Sequence, residues 1–173
     1  IFSTKYFKDN YKYLHEFHHK KYNSMYKRQL LEAIKSKLVI PRVKKHVSMG
    51  RKVVLFHDFN MANPSHPFKF IVEEMLKEDS DDWNKLNRAL QEDINRFEEE
   101  YSEFVNLDLS ELHNPIDSLH EVFGEKSVAV YNGRISKGKR EKLYKQFMND
   151  NSEMNIFVGQ RKACKEGVSL HDM

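Results

Sequence analysis

The hydrophobic positions in the first third of the chain repeat mainly at the spacing of an α-helix. Residues 11–26 mix aromatic and basic side chains on a helical pattern, and residues 27–39 continue that periodicity. Pro41 suits the first position of a helix and Gly50 suits a helix end, so we predict a second, short helix over residues 42–48. The apolar positions behind these predictions are Leu14, Phe17, Met25, Leu30, Leu31, Ile34, Leu38, Val43 and Val47.

Three short apolar runs elsewhere in the chain are typical of buried β-strands. They cover residues 51–57, 127–131 and 154–158. Helical patterns separate them, one opened by Pro115 and ended by Gly124, and one over residues 137–149. Strands that alternate with helices predict an α/β fold with a parallel sheet and right-handed crossovers.

The middle of the chain is predicted to be a helical insertion with an acidic outer face. Its first helix is marked by Phe68, Ile71, Val72, Met75 and Leu76. Its second helix is longer, and its apolar residues are three and four positions apart, close to a coiled-coil seam. These residues are Trp83, Leu86, Leu90, Ile94, Phe97, Tyr101 and Phe104. We predict that this stripe is buried as core.

Length and composition indicate a folded, soluble intracellular protein. The 173 residues fit one domain, and twelve Phe with eight Tyr argue against a disordered chain. No apolar run approaches the ~18 residues that span a bilayer, and the first residues lack a signal peptide. Cytoplasm, nucleus and virus-associated locations all remain open. The chain starts at Ile1 and stops at Met173, and we therefore expect a fragment of a longer protein.

Cysteine and histidine usage does not favour a catalytic thiol or a metal site. The single cysteine, Cys164, excludes an internal disulfide, and we expect it to be a small packed residue rather than a nucleophile. His15, His18 and His19 fit one helix face, but no cysteine and few acidic residues accompany them. We interpret these histidines as surface or partly packed side chains.

Charge is segregated along the chain. Residues 1–60 carry 14 Lys and Arg against 4 Asp and Glu, whereas residues 61–126 carry 6 against 17. Residues 127–173 are basic again, with 9 against 5. We therefore expect the acidic middle to face water or a protein partner, and the basic ends to be candidates for contact with a polyanion. Two solvated basic faces would give the same pattern.

The N-terminal segment, residues 1–27, interleaves aromatic and basic side chains. Stacking combined with phosphate contact is how proteins bind single-stranded nucleic acid. A helix that packs its aromatic side chains on the rest of the protein would show the same pattern, and we favour that reading. The residues concerned are Lys5, Tyr6, Phe7, Lys8, Tyr11, Lys12, Tyr13, Lys20, Lys21, Tyr22, Tyr26 and Lys27, with Arg28 directly after them.

A glycine-rich cationic loop follows the second predicted strand. Gly133 and Gly138-Lys139 match part of a phosphate-binding P-loop, but Arg140 stands where Ser or Thr would ligate Mg²⁺. We therefore do not expect a true P-loop. The loop still lies at a strand end, where parallel sheets place their ligands, and its cations suit nucleic-acid phosphates.

Three segments in order resemble the second RecA-like domain of a superfamily 2 helicase. Residues 50–59 resemble helicase motif IV, residues 131–147 resemble the glycine and arginine segment that follows the next strand, and residues 157–172 resemble motif V. The words FHDFN, HPF, NPIDSL and EGVSLHD are most similar to the strawberry-notch branch and related viral or phage helicases. The resemblance covers roughly residues 28–173.

The resemblance implies an organisation for the chain. Residues 28–59 and 115–173 would form the RecA-like lobe, incomplete at its C-terminus, with residues 60–114 as the acidic α-helical insertion. Motif IV and the following loop would contact the nucleic-acid backbone, and motif V would link the strand to the nucleotide. The nucleic-acid contacts would be Phe56, His57, Gly133, Arg134, Lys137, Arg140, Gln160 and Arg161, and the nucleotide contacts Gly167, Val168 and Ser169.

The resemblance also implies cofactors and partners. ATP and Mg²⁺ would be bound mainly by a first lobe that this chain lacks, so we expect no catalytic residue here and no ATP hydrolysis by the chain alone. Expected partners are nucleic acid, DNA in preference to RNA, the N-terminal helicase lobe, and a protein at the acidic insertion. No membrane contact is expected.

Two alternative functions stay open from the sequence. One is a non-catalytic module that keeps a helicase-like fold while its charges recruit nucleic acid or protein. The other is an independent P-loop NTPase, in which nucleotide binding would depend on Lys139.

Overall fold

The computed structural model of the chain describes residues 1–58, 63–77 and 83–164. Two strands flank a third in one sheet: β1 (Val53–His57), β2 (Val128–Tyr131) and β3 (Ile156–Gln160). The helices are α1 (Lys5–Asn10), α2 (Lys12–Lys21), α3 (Ser24–Ser48), α4 (Pro67–Leu76), α5 (Trp83–Glu100), α6 (Ser102–Val105), α7 (Pro115–Phe123), α8 (Lys137–Met148) and α9 (Arg161–Cys164). Within the described part of the chain, no helix combines the length and apolar character needed to cross a bilayer.

The chain divides into two compact units. Ile1–Leu30 and Ser65–Glu111 form the first, which we call the helical unit, and Leu31–Pro64 and Leu112–Met173 form the second, the sheet unit. The N-terminal segment and the central helices therefore belong to one unit. The boundary between the units falls within α3.

The sheet unit is built on a small open parallel sheet with the order β1-β3-β2. Val53 is paired with Ile156 on one side of β3, and Val128 is paired with the same residue on the other side. The structure thus confirms the predicted mixed α/β class and the parallel pairing. Parallel sheets are usually covered on both faces, and this sheet follows that rule.

Each face of the sheet has its own apolar core. On one face, Val43 of α3 and Leu119 of α7 pack against Ile156 and Val158. On the other, Phe147 of α8 packs against Phe157 and Ala129. Because side chains alternate along a strand, consecutive residues of β3 serve the two cores.

The prediction of two helices over residues 27–48 was wrong, because α3 runs unbroken from Ser24 to Ser48 with Pro41 inside it. Proline has no N–H, so α3 lacks the bond that residue 41 would donate one turn back. Val43 is buried two residues later, and the apolar contacts of this end of α3 with the sheet offset the lost bond.

Two predicted helix boundaries, the end at Gly50 and the start at Pro115, are confirmed. Gly50 has a φ of +70°, its N–H donates to the Val47 carbonyl at 2.9 Å, and Arg51 N–H donates to the His46 carbonyl at 3.1 Å. That pair of bonds is a Schellman motif, and glycine tolerates its left-handed residue. At the start of α7, the Asn114 side chain accepts from the Ile116 N–H, directly before Pro115.

Strand β3 ends two residues later than predicted. The predicted strand stops at Val158, whereas pairing continues to Gly159, opposite Phe56, and to Gln160, opposite His57. Glycine lowers strand propensity, and the sequence pattern therefore ended too early. Tertiary pairing with β1 and β2 extends the strand through it.

The helical unit has an aromatic core, which confirms the predicted seam where it can be observed. Leu90, Ile94 and Phe97 of α5 are buried, and Tyr101 and Phe104 pack partly buried beyond the end of that helix. The opposing side chains are Phe7, Tyr11, Leu14, Phe17, Tyr22, Phe68, Ile71 and Met75.

The core also decides the role of most N-terminal aromatic rings. Phe7, Tyr11 and Tyr22 are buried and cannot stack on nucleic-acid bases, whereas Tyr6 and Tyr13 are exposed. The interpretation of this segment as packed aromatic helices is therefore the one that the structure supports for the buried rings.

Candidate nucleic-acid interface

The carboxyl ends of the three strands bring the predicted motif segments to one edge of the sheet. Asp58 follows β1, the loop Asn132–Ser136 follows β2, and Arg161 follows β3. Ligands of open parallel sheets bind at this edge, because the loops there lie side by side. The edge is therefore the candidate site.

Gln160 ties the three strand ends together. Its Nε2 donates to the Asp58 carbonyl oxygen at 3.2 Å, and its Oε1 accepts from the Gly133 N–H at 3.5 Å. A side chain that holds both neighbouring loops positions the edge, and this is the role that the geometry gives Gln160.

Arg161 is engaged with a carboxylate. Its guanidinium makes two bonds to Asp58, one of them from Nε to Oδ1 at 2.7 Å. A planar guanidinium and a carboxylate fit each other in this paired manner. A nucleic-acid phosphate would therefore have to compete with Asp58 for Arg161.

Arg140 holds the loop after β2. Its Nε donates to the Ile135 carbonyl at 2.9 Å, and its guanidinium lies over the Tyr131 ring, 5.3 Å from the centroid. Asn132 adds to the loop structure, because its Oδ1 accepts from the Arg134 N–H at 3.0 Å. Arg140 thus shapes the loop besides adding its charge.

Three further cations of this region point into solvent. Arg134, Lys137 and Lys139 are exposed, and no carboxylate of the described residues pairs with any of them. They surround the first turn of α8, where backbone N–H groups and the helix dipole favour anions. The arrangement provides a cationic surface beside the start of α8.

The backbone of this loop differs from a phosphate-cradling nest. Gly138 is the second residue of α8, and positive φ values among the described glycines occur at Gly50 and Gly124 but not at Gly133 or Gly138. A nest alternates right- and left-handed backbone conformations so that its N–H groups converge. The geometry therefore does not favour a P-loop.

The motif IV residues are placed differently from each other. Phe56 is 59% exposed, whereas His57 is buried with 5% of its surface exposed. Phe56 can therefore contact a ligand directly, whereas the His57 side chain offers little surface to one. Gly133 is exposed in the loop after β2.

The remaining predicted contacts, Gly167, Val168 and Ser169, lie outside the described residues. Cys164, the last described residue, packs partly buried against the core on the α8 face of the sheet. Burial raises the pKa of its thiol, which keeps it protonated and supports the packed role.

Sequence reasoning missed a groove beside this edge. It has a volume of about 760 Å³ and lies among α3, α7 and the ends of β1 and β3. Its polar residues on α3 are Glu32, Lys35, Ser36 and Arg42. Lys35 and Ser36 follow Glu32 by three and four positions, and Arg42 follows Lys35 by seven, so all four lie on one face of the helix. This spacing was the signal in the sequence that could have indicated the groove.

No protein-family model matches this chain, and neither a curated protein nor a solved structure matches it.

Proposed function

We propose that the chain is the C-terminal, RecA-like lobe of an ATP-dependent nucleic-acid helicase or translocase. The observation that carries the proposal is the cationic surface at the carboxyl edge of a parallel sheet. Arg134, Lys137 and Lys139 lie there next to the first turn of α8, and none of them pairs with a carboxylate in the described part of the chain. Such a surface fits the phosphates of a nucleic-acid strand.

In the proposed mechanism, the loops at the carboxyl edge of the sheet hold the nucleic-acid strand. Arg134 and Lys137 would bind successive phosphates, while Arg140 and Gln160 hold the loops in place. A first lobe elsewhere in the longer protein would supply most of the ATP and Mg²⁺ contacts. Closure of the two lobes on ATP would then shift the grip along the strand, with residues 160–169 coupling nucleotide and strand.

The proposal is tested by the binding of a fluorescein-labelled single-stranded DNA oligonucleotide to this chain, followed by anisotropy. We expect the double variant Arg134→Ala, Lys137→Ala to bind about tenfold or more weakly at low salt, and its salt dependence to be less steep by ~0.7 per lost phosphate contact. Lys126→Ala is the matched control, because Lys126 is exposed beyond the amino end of β2. Equal losses in both variants would overturn the proposal.

A second assay separates a motor from a binding scaffold. In a longer protein that contains a first lobe, the motor predicts ATP turnover that single-stranded nucleic acid stimulates, and loss of that stimulation in the Arg134→Ala, Lys137→Ala variant. Strand binding without stimulated turnover would make this lobe a non-catalytic nucleic-acid-binding module. Arg140→Ala is the poorer probe, because it also removes the bond to Ile135.

A further inference from the structure

The groove in the sheet unit has the dimensions and lining of a small-molecule site. Its volume of about 760 Å³ lies within the roughly 300–1,000 Å³ of typical ligand pockets. Apolar side chains from three elements form its floor, namely Val39 of α3, Leu55 and Val158 of the sheet, and Leu119 of α7. The loop cations Arg134 and Lys137 are not among its lining residues.

Two exposed apolar side chains extend this lining to the surface. Leu38 is 71% exposed and Phe56 is 59% exposed, and both line the groove. Apolar area of this kind favours a ligand with a planar or apolar body.

A buried hydroxyl group in the lining lacks a hydrogen-bond partner among the residues that the structure describes. Ser36 lines the groove with only 4% of its surface exposed, and its Oγ has no hydrogen-bond partner within the described residues. A buried polar atom without a partner costs roughly 1–3 kcal/mol, and such atoms are rare in folded proteins. A ligand with a hydrogen-bonding edge would satisfy it once the Ser36 side chain turns toward the groove.

Three cations, Lys35, Arg42 and Arg161, line the groove against two carboxylates, Glu32 and Asp58, so its lining carries one positive charge in excess. Asp58 is paired with Arg161, and Glu32 accepts a bond from the Asp58 N–H at 2.7 Å. Lys35 and Arg42 also line the groove, are exposed, and pair with no carboxylate of the described residues. The rim therefore suits an anionic group.

We infer that this groove binds a nucleotide. The base would lie on the apolar floor with one polar edge atom at Ser36, and the phosphate would lie between Lys35 and Arg42. A fatty-acyl chain would leave the Ser36 hydroxyl unsatisfied, and a bare phosphate would leave the floor exposed. The ligand is either a free nucleotide or a nucleotide turned out of a bound strand. The inference does not use the loop cations of the proposed function.

The test is titration of the chain with adenosine 5′-monophosphate, adenosine and inorganic phosphate, followed by isothermal calorimetry or NMR. We expect saturable binding of the monophosphate, about fivefold weakened by Ser36→Ala and abolished by Ser36→Leu, which fills the groove. Lys35→Ala with Arg42→Ala should weaken the monophosphate about tenfold but leave adenosine unchanged. Lys44→Ala, on α3 outside the groove, is the matched control.

Circular dichroism confirms that each variant is folded before it is titrated. Ser36→Ala removes only an unsatisfied hydroxyl, so the fold is expected to tolerate it. No saturable binding of the monophosphate, or equal binding by the Ser36→Leu variant, would overturn the inference. An apolar dye that binds the groove when the monophosphate does not would identify it instead as a protein-docking surface.

The source of the nucleotide is distinguished with a single-stranded oligonucleotide. If the site takes a base from a strand, the oligonucleotide displaces the monophosphate and Ser36→Leu weakens oligonucleotide binding. If it takes a free nucleotide, neither occurs. The Arg134→Ala, Lys137→Ala variant should keep its monophosphate affinity in both cases, so that failure of the strand-binding proposal and failure of this inference are distinguishable.

Discussion

At the scale of single residues, Gly159 shows how closely the end of β3 is packed. A Cβ atom at this position would lie 2.6 Å from the Cys164 Sγ and 3.2 Å from the Phe157 ring. Both distances are shorter than ordinary van der Waals contacts. Glycine is therefore required here because the first turn of α9 folds back over the strand, and not because of a left-handed backbone.

We predict that Gly159→Ala destabilises the sheet unit by about 1–3 kcal/mol, the usual cost of overpacking a core. Removing the Cys164 Sγ should restore much of the lost stability. The double variant Gly159→Ala, Cys164→Ala is therefore expected to be more stable than Gly159→Ala alone. Urea unfolding of the wild type, the two single variants and the double variant measures the coupling free energy between Gly159 and Cys164. Additive effects would show that the two residues do not interact.

His18 is the second residue whose surroundings have a measurable consequence, because they keep its imidazole uncharged. It is buried, stacks on Phe2 with ring centroids 4.1 Å apart, and its Nε2 has no hydrogen-bond partner within the described residues. Burial, reinforced by nearby Lys27 and His19, lowers the pKa of His18 from 6.5 to about 4. The imidazole is therefore neutral in the folded helical unit.

This environment predicts acid sensitivity. Between about pH 6.5 and pH 4 the unfolded chain binds a proton at His18 that the folded chain does not, so the free energy of unfolding should fall by up to ~1.4 kcal/mol per pH unit on acidification. Urea unfolding at about pH 7.5 and about pH 5 measures this loss.

The variant His18→Phe should lose part of that pH dependence, because a phenyl ring keeps the stacking on Phe2 without a titrating nitrogen. His46→Gln is the matched control, since the His46 side chain is exposed and belongs to the sheet unit. Unchanged pH dependence in His18→Phe would mean that His18 does not cause it. His66 should still contribute in the same direction, because burial also lowers the pKa of its imidazole from 6.5. Glu100 adds to the loss only below about pH 4.5, because hydrogen bonds from Tyr11 and Tyr101 lower the pKa of its carboxyl from that value.

At the scale of elements, α3 shows that tertiary packing outweighs a local helix breaker. Proline in a helix interior costs about 3 kcal/mol relative to alanine. Val39, Ile40, Val43 and Val47 nevertheless pack against the sheet core around Pro41, and their burial is sufficient to keep the helix continuous.

We therefore predict that Pro41→Ala stabilises the sheet unit. Pro41 is exposed, so the change removes little packing while it restores a backbone bond. The expected gain is about 1–2 kcal/mol, less than the full helix penalty because the unfolded chain also becomes more flexible. Thermal unfolding by circular dichroism measures it, with Lys44→Ala as the exposed control on the same helix. A lower melting temperature would contradict the prediction.

At the scale of the whole molecule, the basic and acidic segments of the sequence do not separate into different units. The acidic helix α5 packs with the N-terminal helices, so basic and acidic segments share the helical unit. In the sheet unit, the cations after β2 lie at the strand ends. Charge segregation along the sequence is thus not the same as charge segregation between the units.

We predict that the chain alone does not hydrolyse ATP. The resemblance to helicases assigns the Walker A lysine and the Mg²⁺-binding acidic residues to a first lobe, and this chain contains neither motif. A phosphate-release assay with ATP, Mg²⁺ and single-stranded DNA is expected to match the buffer blank. Turnover above the blank that is lost in Lys139→Ala would favour the independent P-loop NTPase instead.

Much of the fold was predictable because its signals are local. The apolar runs of β1 and β2, the stop at Gly50 and the start of α7 at Asn114-Pro115 depend on neighbours within a few residues. The candidate site was predictable only in part. Arg134 and Lys137 follow a strand directly, whereas Ser36 belongs to a helix that meets the strand ends only in three dimensions.

The sequence by itself determined the α/β class, the parallel strands, the acidic helical segment and the cationic loop, because periodicity, capping residues and charge are local properties. Only the tertiary structure decided that α3 runs through Pro41, that β3 continues through Gly159 and that His18 is buried. It alone also assembled the groove around Ser36. These features depend on contacts between residues that are distant in the sequence. The free energy gained by burying these residues together exceeds the local conformational preferences of the chain.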